Sequence, residues 1–222
     1  MRLDHIAYRV KDRHKTVDFF VKAFGYSVQT EFDIEFPDGT TARCFALEPP
    51  EKNPETRKLE SGALNPGWVH EWKFYTVEEG LDKKLIWGES SQEYHLAPEI
   101  FVSDGSKGSI VGDWVVERNG VGGIHHLAYQ VESVQAKVDE WREKGYAEFS
   151  SEEPLKCPDL TQIFTKPSVL TGVIYEFIER GKHGFCQDNV KDLMLSTKDA
   201  DKEMKMKLDH PNSLISVPKA LP

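Results

Sequence analysis

Leu3-Asp4-His5-Ile6-Ala7-Tyr8-Arg9-Val10 and Ile124-His125-His126-Leu127-Ala128-Tyr129-Gln130-Val131 are near copies of each other. His5 falls on His126, Ala7 on Ala128, Tyr8 on Tyr129 and Val10 on Val131. Each copy precedes a helix-like run that ends in Gly-Tyr, Gly25-Tyr26 in the first and Gly145-Tyr146 in the second. A duplication of this kind sets the architecture: two related modules, each opened by a histidine-bearing strand. Histidines at equivalent points of two such modules can meet on one metal ion.

Working outward, the alternation in residues 3–10 reads as a strand. Leu3, His5, Ala7 and Arg9 share one face; Ile6, Tyr8 and Val10 share the other. The period then changes. Val17, Phe20, Val21 and Phe24 form one stripe of a helix over 14–24, and Gly25 is a stop signal just past its end. Strands expected near 26–33 and 40–48 flank the turn signal Pro37-Asp38-Gly39. The second module repeats this order, with a strand over 124–131 and a helix over 133–144 that aligns Val134, Val138 and Trp141. Strands near 160–166 and 172–179 close it. A strand over 98–103 completes the first module, 104–109 reads as a turn, and 110–119 leads into the second.

The expected fold class is therefore α+β, two βαβββ modules forming a cupped mixed sheet around a central metal site. The first module spans 1–119 with an insertion over about 49–95 that is rich in Pro, Glu, Lys and Gly. Short strand pieces such as His70–Tyr75 fall within it. The second spans 120–197 and includes a C-terminal helix, and 198–222 reads as a polar tail.

Composition narrows the function. The chain has 222 residues, 39% hydrophobic, which suits one core or two small modules sharing one. The net charge is −9 with both signs interspersed and no basic stripe, so nucleic acid is not an expected partner. No apolar run approaches the ~20 residues of a membrane span. Cys44, Cys157 and Cys186 form no CxxC pair and read as reduced thiols. Met1-Arg2-Leu3-Asp4-His5 has no signal-peptide shape, so a cytoplasmic location is expected.

Strand parity selects the metal ligands. His5 and His126 fall in the inward set beside the small Ala7 and Ala128, which leave room above the sheet. By the same parity His125 points away and receives no role; His70 and His95 are also left unassigned. A third ligand comes from Val173-Ile174-Tyr175-Glu176-Phe177-Ile178, where Glu176 is a carboxylate inside an apolar run. An unpaired buried carboxylate is costly, and a metal removes that cost. Two histidines and one carboxylate leave coordination positions open, the arrangement of non-haem Fe(II) oxygen chemistry. A single strand histidine is more often plain core or surface. The repeat-related pair together with the buried glutamate is what points to an ion.

On these residues the chain resembles the vicinal oxygen chelate superfamily, whose members build a cupped sheet from paired βαβββ modules. Two families within it are similar. Leu160-Thr161-Gln162-Ile163-Phe164-Thr165-Lys166-Pro167, the strand ending Glu176-Phe177-Ile178-Glu179-Arg180, and Gly184-Phe185-Cys186-Gln187-Asp188-Asn189 resemble the catalytic half of 4-hydroxyphenylpyruvate dioxygenase. That resemblance implies His5, His126 and Glu176 as iron ligands and Gln162 as a catalytic polar contact. It implies Phe164, Phe185 and Asn189 as substrate contacts, the two rings flanking an aromatic substrate, with a helix over 188–196 as a gate. Ordinary core packing is the plain alternative for both phenylalanines. Where that family carries Gln before its second ligand, this chain has His125. Gly122-Gly123-Ile124-His125-His126-Leu127-Ala128 instead resembles methylmalonyl-CoA epimerase.

The expectations, in order, are an Fe(II)-dependent dioxygenase of a 2-oxo acid; a metal-dependent epimerase or isomerase whose base would come from the first module, with Glu48 as the candidate; and a metal-free small-ligand-binding module. The cofactor is a divalent metal, Fe(II) first, then Co, Mn or Zn. The partner is a small-molecule substrate, and a homodimer is the expected assembly because sheets of this superfamily pair across chains.

Overall fold

The computed structural model describes residues 1–49, 68–79, 82–93, 97–158, 160–168, 170–180 and 189–198, with 68–79 and 82–93 described as backbone only. The chain divides into two compact units, residues 1–48 with 98–222 and residues 49–97. The second unit holds one antiparallel hairpin, β4 (Trp68–Glu79) with β5 (Asp82–Glu93).

The first unit carries an eight-stranded mixed sheet, curled into a half-barrel. Its first module supplies β1 (Arg2–Val10), α1 (Arg13–Phe24), β2 (Ser27–Glu35), β3 (Thr41–Glu48) and β6 (Glu99–Gly105). The helix α2 (Ile110–Glu117) follows. The second module supplies β7 (Gly122–Gln130), α3 (Val134–Glu143), β8 (Leu155–Cys157), β9 (Leu160–Phe164) and β10 (Ile174–Arg180). A last helix runs over 189–198. The strand order is β2-β3-β6-β1-β7-β10-β9-β8, so each module contributes four neighbouring strands.

The modules join through β1 and β7, which run antiparallel. His5 pairs with Ala128, Ala7 with His126 and Ile6 with Leu127. Equivalent residues thus exchange partners across the junction, and a pseudo-twofold passes between Ile6 and Leu127. Gly122 makes the close approach possible. Its φ is +86°, and a Cβ there would meet the Arg9 carbonyl oxygen at 2.1 Å.

The helix positions follow local chemistry. Asp12 caps α1 by accepting from the Lys15 backbone N–H, and Gly25 ends the helix in the left-handed conformation at φ 74°. Ser133 caps α3 and Ser109 caps α2 in the same way as Asp12. On the outer face of the sheet, Val17 of α1 clusters with Val10, Ile100 and Val102, with Ile6, Tyr8 and Phe20 packed against them. Val134 and Val138 of α3 cluster with Ile163 and Phe177. The apolar outer set that strand parity gives for β1 therefore does pack beneath a helix.

One local reading is qualified and two are corrected. The stripe of α1 is only partly buried: Val17 is inside, while Val21 and Phe24 are exposed. Phe19, Phe20 and Phe24 instead cover one another's rings at 5.5–5.9 Å between centroids. The lead-in over 110–119 is the helix α2, whose Ile110, Val111, Trp114 and Val115 are buried at helical spacing. The turn over 104–109 begins late, because Asp104 and Gly105 still pair with β3. Among the described residues no helix is long and apolar enough to cross a membrane.

Candidate metal centre

His5, His126 and Glu176 share one cavity with apolar side chains such as Ala7 and Phe101. His5 and His126 stand on adjacent central strands, and Glu176 stands on β10 next to β7, paired with Ala128. All three are buried, at 2%, 9% and 2% exposure. Their ligand atoms form a nearly equilateral triangle. His5 Nε2 is 3.2 Å from His126 Nε2, and each of these nitrogens is 3.3 Å from Glu176 Oε2. Such a triangle puts each atom ~1.9 Å from the common centre, just inside the ~2.0–2.2 Å reach of a metal bond. An ion slightly above the triangle would therefore touch all three and keep its far side open. The residues fit a divalent metal, and they are one group that could hold one.

The ring nitrogens away from the triangle are also held. His5 Nδ1 lies 2.8 Å from Asp4 Oδ1. Asp4 in turn accepts from Arg180, Nη2 at 2.6 Å and Nε at 2.8 Å, and Arg180 Nη2 reaches Glu99 at 3.3 Å. His126 Nδ1 lies 2.8 Å from His125 Nδ1. Second partners of this sort fix the tautomer and orientation of a ligating imidazole.

Both partners sit in the bulges of the central strand pair. Leu3 pairs with Tyr129 and His5 with Ala128, which leaves Asp4 extra on β1. Ala7 pairs with His126 and Tyr8 with Ile124, which leaves His125 extra on β7. Asp4 and His125 are repeat equivalents, so the duplication includes its bulge. A bulge interrupts the alternation of faces. His125 consequently stands on the cup side, 4% exposed, against Trp114 and Phe164, and not on the outer face that plain alternation gives it. The available signal was the polar pair, Asp4-His5 and His125-His126, where alternation calls for one apolar residue.

Electrostatics divide the histidines. Burial alone depresses the His5 imidazole, but hydrogen bonds to Asp4 and Glu176 outweigh it and raise its pKa to about 9. Burial raises Asp4, and the His5 and Arg180 contacts more than reverse that, holding it well below the carboxylate range. Burial lowers His125 and His126, with the Arg9 cation adding to it, so both rings are neutral. A neutral His126 offers its Nε2 lone pair to a cation.

A cavity opens above the triangle. Its wall includes Ala7, Arg9, Phe101, His125, Gln162 and Phe164, with Val190, Leu193 and Met194 of the last helix. Gln162 and Phe164 share this face of β9, as their spacing implies. The Phe164 ring lies 4.7 Å from that of His126. Gln162 is 1% exposed and its amide nitrogen has no hydrogen-bond partner among the described residues. Asn189 is buried at the head of the last helix and is not among the residues lining the cavity. Glu48 lies at the end of β3, where its Oε1 accepts from Gln29, also away from the cavity lining. Phe185, Cys186, His95 and the tail from 199 lie outside the described residues.

A model of the Glyoxalase/Bleomycin resistance protein/Dioxygenase superfamily matches residues 2–168. The chain belongs to that superfamily. Solved structures agree on the fold. A selenomethionine methylmalonyl-CoA epimerase is 19% identical, with a TM-score of 0.51, and the match covers 82% of this chain and 97% of that one. The methylmalonyl-CoA epimerase from Mycobacterium tuberculosis is 18% identical, with a TM-score of 0.50, covering 82% and 89%. No curated protein matches the sequence. For a member of this superfamily, the paired modules account for the cup and for two of the three inward residues that could hold an ion.

Proposed function

We propose that this protein is a metal-dependent enzyme that moves a proton next to the carbonyl of a small acyl compound, as an epimerase or isomerase. The observation that carries it is the buried triangle of His5, His126 and Glu176 at the base of an apolar cavity. The fold likeness to methylmalonyl-CoA epimerases supports this reaction ahead of oxygen chemistry. A bound divalent ion would supply Lewis acidity, drawing charge from the carbonyl oxygen as the neighbouring carbon loses its proton.

The chain's own residues do the rest. His5, His126 and Glu176 would hold the ion, with Asp4 and His125 fixing the two rings. Phe101, Phe164, Leu193 and Met194 keep water from the reacting carbon. Gln162 turns its amide toward a substrate oxygen. The metal is divalent, and Co(II), Mn(II) and Zn(II) suit proton transfer because none need change oxidation state.

One observation favours a second reading. Among the described residues, Glu176 is the only carboxylate lining the cavity, and Glu48 stands elsewhere, so the cavity wall offers no second carboxylate to take the proton. Two histidines and one carboxylate with open positions also suit an Fe(II) dioxygenase of a 2-oxo acid. That is the reading in which Gln162 and Phe164 contact an aryl substrate. One pair of assays separates them. Protein purified without chelators is loaded with Co(II) or anaerobically with Fe(II), then given methylmalonyl-CoA and a panel of aryl 2-oxo acids in deuterated buffer. Deuterium entering the α-carbon without oxygen consumption is the expected result. Oxygen uptake with the iron form selects the dioxygenase, and neither signal rejects both.

A further inference from the structure

Resting on the metal centre of that reading, we propose that His125 is a substrate-binding residue: its Nε2–H donates a hydrogen bond to a carbonyl or carboxylate oxygen of the molecule held at the ion. The bulge in β7 brings the His125 ring to the cavity wall. The remaining argument is proton accounting on two rings.

His126 points Nε2 into the ligand triangle. A neutral imidazole that gives the Nε2 lone pair to a cation carries its proton on Nδ1. That Nδ1 is 2.8 Å from His125 Nδ1, so the His126 N–H donates and His125 Nδ1 accepts. A ring that accepts at Nδ1 must carry its one proton on Nε2. Metal binding on one histidine therefore fixes the tautomer of the next.

The resulting donor is buried and has no hydrogen-bond partner among the described residues. A buried N–H without an acceptor is rare in folded proteins and is a cost to the empty site. Gln162 Nε2 is in the same condition in the same cavity. Both unanswered donors belong to residues that line one mostly apolar cavity together with the three candidate ligands, and an oxygen of a substrate anion entering there would answer them. The Trp114 and Phe164 rings pack against His125 edge-on, at 5.5 and 6.3 Å, and hold it to that orientation. The first module has no counterpart. Asp4, at the equivalent bulge, is a pure acceptor and is already engaged by His5 and Arg180.

The test uses the full chain, Co(II) and malonate as a carboxylate probe. Co(II) affinity is measured first for the wild type, His125→Gln and His125→Leu, so that malonate is titrated at saturating metal in each. Glutamine can accept with Oε1 and donate with Nε2, whereas leucine does neither. The expected result is malonate binding weakened at least about tenfold in His125→Leu and kept within about threefold in His125→Gln. Ring ¹⁵N spectra of the Zn(II)-loaded wild type, which need no variant to fold, are expected to show His125 protonated at Nε2 alone. A proton on His125 Nδ1, a wild type that ignores malonate, or equal malonate affinity in the leucine variant overturns the proposal. A wild type that binds no Co(II) overturns the metal centre and this subsite together. Absence of α-carbon exchange, with the malonate and ¹⁵N results as expected, sinks the epimerase reading and leaves this subsite standing.

Discussion

Asp4→Leu isolates what a residue beyond the ligand set contributes. Asp4 does two jobs that the substitution ends together. It accepts from His5 Nδ1 at 2.8 Å, and it takes two hydrogen bonds from Arg180. For metal affinity, loss of such a partner costs ~10–100-fold, because the ring loses its fixed tautomer and part of its basicity. For stability, breaking a buried ion pair costs about 3–5 kcal/mol when the remaining charge is stranded. Arg180 keeps Glu99 at 3.3 Å, so the lower end, about 3 kcal/mol, is expected here. Asp4→Asn retains one acceptor oxygen and should lose less than about tenfold in metal affinity. Co(II) titration by visible absorption reads the first effect, and urea unfolding in chelator reads the second. A folded Asp4→Leu protein that binds Co(II) as tightly as wild type would refute the reasoning, since His5 would then need no help from its neighbour.

Four further outcomes are expected. Chelation should lower the melting temperature and added Co(II) restore it, because a ligand at a hundred times its Kd stabilises by ~2.7 kcal/mol; an unmoved transition means that no ion binds the folded state. Gly122→Ala should destabilise by more than ~1 kcal/mol from its positive φ alone, with the contact at the Arg9 carbonyl adding to it, as measured by urea midpoint. Phe177→Ala, at 0% exposure and 4.7 Å from the Trp141 ring, should cost about 3–5 kcal/mol in the same assay. Cys44 is fully buried, and burial pushes its thiol well up, so it should resist a thiol reagent at pH 8 until the protein unfolds. Mass mapping that finds native Cys44 labelled as fast as the half-buried Cys157 contradicts that placement.

The fold was legible because duplication and periodicity are both written in the chain. Glu176 stands out as a carboxylate inside an apolar run, while a two-residue period assigns faces without knowledge of the partner strand and puts His5 and His126 on equivalent faces. It fails where one residue is added, because the bulges at Asp4 and His125 are properties of the β1–β7 pairing and not of either strand alone. The helix α2 was missed for a different reason. Ser109 followed by Ile110, Val111, Trp114 and Val115 is a capped helical pattern, but it is short and lies between two turn signals. The α1 helix and its stripe stand where the spacing gives them, but amphipathic spacing says which residues align and not how much sheet lies beneath them.

The asymmetry of the site follows from the same register. The pseudo-twofold that turns β7 into β1 also turns β10 into β6. Glu176 pairs with Ala128, and the equivalent Ala7 pairs with Phe101. Phe101 is thus the mate of Glu176, buried at 4% exposure and lining the same cavity. A carboxylate there would complete a symmetric set of two histidines and two acids. The ring supplies no ligand atom, and it gives an apolar wall to the cavity that the three candidate ligands also line. Two imidazoles come from what the modules kept in common. The cavity wall also carries two positions where the modules diverged, Phe101 against Glu176 and His125 against Asp4. Under the proposed function, chemistry in this cup would draw on the broken symmetry at those pairs, with the β1–β7 junction holding the symmetric remainder in place.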